Sequence, residues 1–248
     1  MRFYKLQAVV LKAVNMREAS QLLTLFSLEK GKVRAVAYGA AKPASRKRGA
    51  VQPFTCSLFL LRRGSDLDSV AQCEVLEAFP EVRESLERLA CAFYLAELLE
   101  SATAEGEPAA PLYWLFLETL RALREVDAQV LCRAFEAKML ALLGWQPCLE
   151  KCASCGGSVD GRRVSFHVPS GGILCPSCAG RLEGALTCHR GTVEWLKTLL
   201  RWETARLGQL KVGRPAREEL KELLQKFMAH HLERSARSLA FLEAAEHV

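Results

Sequence analysis

The chain contains no apolar run of the roughly 18 residues that a membrane-spanning helix needs. Its opening residues, Met1-Arg2-Phe3-Tyr4-Lys5, carry no signal-peptide pattern. The expected compartment is therefore the cytoplasm, and a membrane is excluded from the expected partners. No GxxxxGK[ST] phosphate loop is present, which removes the commonest signature of ATP use. Carboxylates are not gathered where a cleaving metal would want them. In the first eighty residues the one close pair, Asp66 and Asp68, stands in a Gly64-Ser65 turn setting. His167 and His230-His231 are isolated along the chain, which suits solvated or capping roles better than general-base roles. These absences together point away from an enzyme. Aromatic residues are only 8% of the chain, so an extended stacking platform is not expected either.

Cysteine is the exception to this scarcity. Four of the ten, Cys152, Cys155, Cys175 and Cys178, form two CxxC pairs with nineteen residues between them. Each pair fits a knuckle turn that aims two thiolates at one point, and the gap fits a hairpin that returns the second knuckle to the first. Gly156-Gly157 and Gly171-Gly172 supply backbone freedom at the turns, and Arg163 to Val168 alternates like a short strand. The expected product is a closed tetrahedral site for one structural Zn2+, with no open position for water or substrate. Redox dithiols, disulfides or unrelated buried cysteines are the competing readings. Cys148 and Cys188 flank the module without belonging to a CxxC pair, and each is expected to be a small buried hydrophobe.

The net charge of +6 conceals a strong asymmetry. Residues 1–80 hold thirteen Lys/Arg against six Asp/Glu, whereas residues 81–147 hold six against eleven. The basic first part suggests a polyanion partner, and the acidic middle suggests scaffold or protein contact. The basic part reads as five strands: Tyr4–Ala13, Ser20–Leu28, Lys32–Tyr38, Val51–Leu61 and Ser69–Phe79. Five strands in about eighty residues fit a small closed barrel of the OB type, although other small barrels and sandwiches share that count. Between the third and fourth strands, Lys42, Arg46, Lys47 and Arg48 crowd into seven residues without an acid, among small residues expected to leave the backbone mobile. Such a loop suits phosphate contact with counterion release, and Lys32, Arg34, Arg62 and Arg63 extend the candidate DNA-binding patch. Tyr4, Tyr38, Phe54 and Phe59 are expected in the core.

From Pro80 onward the apolar spacing becomes helical, with breaks at Gly106 to Pro111 and at Gly144 to Pro147. The expected organisation is a barrel at 1–80, a first helical part at 81–147, a cysteine module at 148–188 and a second helical part at 189–248. The fold class is thus α+β multidomain, an N-terminal five-stranded OB-type β-barrel followed by an α-helical domain with an inserted four-cysteine zinc module. Arg201, Arg206, Lys211, Arg214, Arg217 and Lys221 offer a second cationic face, but the interspersed Glu203, Glu218, Glu219 and Glu222 fit an ordinary solvated helix surface better.

Specific stretches carry a family resemblance. Val9 to Lys12, Glu18 to Ser20, Thr24 to Ser27, Gly31-Lys32, Ala37 to Ala40, Ser45 to Phe54, Ala71 to Phe79, Leu95 to Leu99 and Leu143 to Pro147 are similar to the bacterial recombination mediator protein RecO, over essentially the full length. The resemblance implies a non-enzymatic DNA repair and recombination protein with an OB-fold. It implies binding of ssDNA and dsDNA, strand annealing, recognition of the C-terminal tail of single-stranded DNA-binding protein, and action with RecR to load RecA. It adds weight to Lys42, Arg46, Lys47 and Arg48 as DNA contacts and implies a nucleoid-associated location. A zinc-braced adaptor without DNA affinity is the alternative, and a metal-dependent nuclease is a weaker one. For the tail pocket, Arg121, Arg124 and Arg133 are equivalent candidates at this level.

Overall fold

The structure, a computed structural model, describes residues 2–232 and 238–245. It divides into two compact units, Met1–Arg124 with Ala236–Val248, and Glu125–Ser235. The first unit begins with β1 (Phe3–Asn15), β2 (Gln21–Ser27), β3 (Gly31–Ala37), β4 (Cys56–Arg62) and β5 (Asp68–Glu77). These close into a barrel of order β1-β2-β3-β5-β4.

One long strand makes the closure possible. The first half of β1 pairs antiparallel with β4, Phe3 opposite Arg62 through Val9 opposite Cys56, while its second half pairs with β2. A bulge between Val10 and Lys12 changes the alternation in mid-strand, so Leu6, Ala8 and Val10 face inward before it and Ala13 packs inward after it. The last seam is short, two parallel pairs joining Ala35 to Asp68 and Val36 to Ser69. Leu23, Leu25, Ala35, Phe59 and Leu61 fill the interior and are wholly shielded from solvent.

The fourth strand starts later than its sequence pattern predicts. Val51 to Thr55 is turn, because Pro53 cannot donate to a ladder and Phe54 sits at φ 65°, outside strand geometry. The loop before it is also tied down, where small residues had suggested mobility. Ala40, Val51 and Phe54 are buried, Ala41 N donates to the Ala19 carbonyl, Val51 N to that of Lys47, and Phe54 N to that of Val10.

The helical run predicted from Pro80 is two helices, α1 (Pro80–Glu84) and α2 (Leu86–Ala102), because Ser85 is extended and accepts from Arg88 N as an N-cap. Then follows α3 (Ala110–Ala122), and β5 is clamped to it by the Arg121 guanidinium, which donates to both carboxylate oxygens of Glu77 at 2.9 and 2.5 Å. That pairing holds the Glu77 carboxyl below its usual range, chiefly through the hydrogen bonds from Arg121.

The second unit contains α4 (Ala128–Leu142), β6 (Arg163–His167), β7 (Gly172–Leu174), α5 (Pro176–Ala179), β8 (Leu186–His189), α6 (Arg190–Arg201) and α7 (Arg214–Leu232). Asp127 caps α4 by accepting from Val130 N at 3.0 Å, and Gly144 at φ 89° follows its end, as the Gly-Pro signal predicts. The three strands form a sheet of order β7-β6-β8. The last helix of the chain, α8 (Leu239–Ala245), belongs to the first unit and packs on α2.

Candidate metal centre and nucleic-acid interface

The two CxxC pairs come together as their spacing predicts. The β6–β7 hairpin returns the chain so that the ligand atoms of Cys152, Cys155, Cys175 and Cys178 all lie within 4.8 Å of one another. The first knuckle is closed by Gly156 N donating to the Cys152 carbonyl and Cys152 N to that of Gly157, and Ala153 N ties it to the Ile173 carbonyl on β7. Gly156 takes φ 75° to do so. Cys175 and Cys178 bracket the start of α5.

The donor set fits a tetrahedral ion. A metal–sulfur bond of about 2.3 Å implies sulfur–sulfur edges of about 3.8 Å, and Cys155 Sγ and Cys175 Sγ are 3.8 Å apart. The thiols are electrostatically unequal. Burial pushes the Cys152 thiol up, but hydrogen bonds from the backbone of Cys175, Cys155 and Ser154 outweigh it and bring the group down to about 6. Cys178 is pushed up to about 12, first by its hydrogen bond with Cys175. Four thiolates this close repel one another, and a dication would remove that conflict.

Cys148 and Cys188 stand outside the cluster. Cys188 is buried on β8, its thiol aimed at the Val164 carbonyl at 3.6 Å, and burial pushes it up to about 11. Cys148 Sγ donates to the Lys151 carbonyl. His167 is a turn clamp, with Nδ1 2.7 Å from Ser170 Oγ and Nε2 3.2 Å from the Glu183 carbonyl.

The barrel separates the cations named from sequence into two groups. Lys42, Arg46 and Arg48 on the loop, and Arg34, Arg62 and Arg63 on strands or strand ends, are exposed. Arg62 Nε also donates to Ser69 Oγ at 3.2 Å. The other two are engaged internally. Lys32 Nζ donates to the Glu100 and Thr103 carbonyls, both at 2.7 Å, and so caps the C-terminal end of α2. Lys47 Nζ, half-buried, donates to the Val70 carbonyl at 2.6 Å and fastens the loop to β5. Replacing Lys32 by Met should accordingly cost about 1 kcal/mol of stability, read as a lower melting temperature, and leave the salt dependence of DNA binding unchanged. A shallower salt slope would return Lys32 to the interface.

Strand register adds Lys12, which the sequence reading did not place there, beside Arg34, and turns Tyr38 outward. Past the bulge, Lys12, Thr24 and Arg34 stand in one row across β1, β2 and β3, with Val14, Leu22 and Val36 in the next. Lys12 and Arg34 are exposed on this outward face. Tyr38, expected in the core, is 62% exposed just past the end of β3. Alternation from Ala37 points it outward, a signal legible only when the inward parity of β3 is known. The other three aromatics lie within the unit: Phe54 and Phe59 are buried, and Tyr4 donates to the Asp68 carboxylate.

Three of the six cations weighed for a second face on the C-terminal helices stand beside acids. Arg201 pairs with Glu150 at 2.9 Å, Arg217 with Asp127 at 2.8 Å and Arg206 with Glu203 at 3.8 Å. Of the three arginines considered for a tail pocket, Arg121 is held by Glu77, Arg133 is buried beside Glu136, and Arg124 is exposed, 3.9 Å from Glu81.

The fold and the cluster define a class, an OB-type barrel protein carrying helices and a four-cysteine module able to hold a metal. Comparison with known families narrows it. Residues 1–79 match the model described as Recombination protein O N terminal, and residues 83–240 the one described as Recombination protein O C terminal. The chain is 48% identical to the DNA repair protein RecO of Pelotomaculum thermopropionicum, covering 98% of this chain and 94% of that protein. Its identity to the RecO of Desulforamulus reducens is 46%, covering 98% and 95%, and to that of Moorella thermoacetica 36%, covering 96% and 90%. The chain belongs to the RecO family of DNA repair and recombination proteins.

Proposed function

We propose that this protein is a non-enzymatic recombination mediator of the cytoplasm and nucleoid that binds ssDNA and dsDNA through its barrel and anneals complementary strands. On this reading it acts with RecR to load RecA on DNA covered by single-stranded DNA-binding protein, whose C-terminal tail it recognises. The observation that carries the reading is the exposed cationic face of the barrel. Lys12 and Arg34 in register across three strands, continued by Lys42, Arg46 and Arg48 on a loop held in place by packing, offer phosphate contacts without base-reading geometry. Annealing requires that affinity, since sequence preference would hinder the pairing of arbitrary complements. Arg62 and Arg63 extend the surface.

The ion suited to the cluster is zinc, one per chain. Cys152, Cys155, Cys175 and Cys178 would hold it, and its role would be to brace the module, because four thiolates leave no position for water or substrate.

The test is fluorescence-anisotropy binding to unstructured ssDNA across a salt series, beside a variant with Lys42, Arg46, Lys47 and Arg48 all changed to Ala. Each lost single-strand phosphate contact reduces the slope of log K against log salt by about 0.7. With Lys47 engaged on Val70, three free cations predict a reduction of about 2, where four would give about 3. An unchanged slope would remove the loop from the interface, and no salt-sensitive binding by the parent protein would leave a zinc-braced adaptor as the reading.

A further inference from the structure

The barrel has a second outward face that the cationic row on β1–β3 does not include. Before the bulge in β1 the outward positions are odd-numbered, so Lys5 points outward opposite Leu60 of β4, which in turn lies opposite Gln72 of β5. Outward positions on a solvated barrel are ordinarily polar. Here Leu58 and Leu60 are both outward and half-buried, and they floor an open groove of about 600 Å³. Its rim carries Lys5 from β1 with Arg46 and Lys47 from the loop, against a single acid, Glu74. That volume falls in the range of small-molecule sites, roughly 300–1,000 Å³.

We propose that this groove is a second single-strand site, which takes a nucleotide of ssDNA with its base against Leu58 and Leu60 and its phosphate at Lys5 and Arg46. The proposal rests on the DNA-binding reading and deepens it. An apolar floor under a cationic rim matches the two halves of a nucleotide, an uncharged flat base and a charged phosphate. The three-to-one excess of cations disfavours a neutral ligand. Placement supplies the functional reason. Lys42 lies beside Gly39, at the Tyr38 end of the loop, whereas Arg46 and Lys47 lie over β5. One loop thus borders both faces, and β1 runs through both, with Lys5 beside β4 and, turned outward by the bulge, Lys12 beside β2. Two strands could be held on two sides of a shared positive ridge, as annealing demands.

The test uses the full-length protein with Lys5→Glu and Gln72→Glu combined, both at exposed positions. A labelled oligothymidylate reports single-strand affinity, and a complementary oligonucleotide pair reports annealing. The expected result is a change of less than about threefold in single-strand Kd, carried by the β1–β3 face, with annealing slowed at least about tenfold. A Gln72→Cys variant, whose new thiol stands opposite Leu60 on the outward face, gives a second readout. Oligothymidylate should slow alkylation at position 72 about fivefold or more, measured by peptide mass spectrometry. Bound DNA that leaves position 72 unprotected, or annealing that survives the double substitution in a folded variant, would overturn the groove while leaving DNA binding intact. Failure of the parent protein to bind DNA would overturn both. Protection of position 72 by an acidic apolar peptide and not by DNA would overturn the proposal in favour of a peptide groove.

Discussion

Replacing Cys152 by alanine is expected to abolish stoichiometric metal binding and to lower the melting temperature of the Glu125–Ser235 unit by about 15 °C. The reason lies in how little else holds the cysteine module. Its strands are five, three and four residues long, its helix α5 has four residues, and its apolar interior beside the ligands is Leu149, Val159, Val164, Phe166, Ile173, Leu174 and Cys188. A segment of that size orders too little apolar surface to offset its chain entropy. Structural zinc in four-ligand peptides contributes apparent binding energies of about 10–16 kcal/mol. If only a third of that reaches the fold, roughly 4 kcal/mol is lost with the ligand, and about 4 °C per kcal/mol gives the stated shift. Metal per chain by elemental analysis and calorimetry of the variant are the measurements. A parent protein isolated from a metal-replete culture without stoichiometric metal, or a metal-free variant with unchanged melting, would show that packing alone sustains the module. Acid should act in the same direction, because protons compete for thiolates.

Gly31→Ala is expected to destabilise the first unit by roughly 3 kcal/mol, a drop of about 10 °C in its melting temperature. Two independent costs meet at this position. Gly31 has φ 59°, where an L side chain costs about 1–2 kcal/mol. A Cβ placed there would also come within 1.8 Å of the Glu107 carbonyl oxygen, so the segment crossing the start of β3 has to move away. That segment is docked by Gly106 N donating to the Lys32 carbonyl at 2.9 Å and by a parallel bridge from Glu105 to Lys32, and losing one such bond adds about 1 kcal/mol. Differential scanning calorimetry would show it. A variant that melts with the parent would mean that the segment relaxes without loss, and the turn at Gly31 would then matter only for its dihedral angle.

Parts of this molecule were legible in the chain because their causes are local. The CxxC knuckles need only a few consecutive residues and a glycine, so the four thiols converge as the spacing implied. The five strands followed from alternation and turn residues, and the barrel from their number within a short basic stretch. Helix ends at Gly144 and at Asp127 obey capping rules written into neighbouring residues. By the same logic the break at Ser85 was available to the eye, since serine is a favoured N-cap residue, but the continuous apolar stripe through it obscured the break.

The functional meaning of individual lysines was not legible. Lys32 and Lys42 look alike in sequence, yet one points at the carbonyl end of a helix some seventy residues downstream and the other at water. Tyr38 was misjudged for a related reason, since an aromatic next to a strand is assigned to the core or to the surface only by the parity of that strand. β8 was missed altogether, because four residues, Leu186–His189, form a strand only when β6 is there to pair with them.

The four-cysteine cluster, the barrel, the run of helices and the polarity of charge between barrel and helices were thus written in the sequence, because all of them arise from periodicity and short-range spacing. Only the folded chain settled which helices join the barrel and which join the cysteine module, which cations are spent on internal carbonyls, and how one bulge in β1 turns Lys12 outward beside Arg34. Those outcomes depend on pairings between residues tens of positions apart, and the energy of such a pairing is not a property of either partner's neighbourhood in the chain.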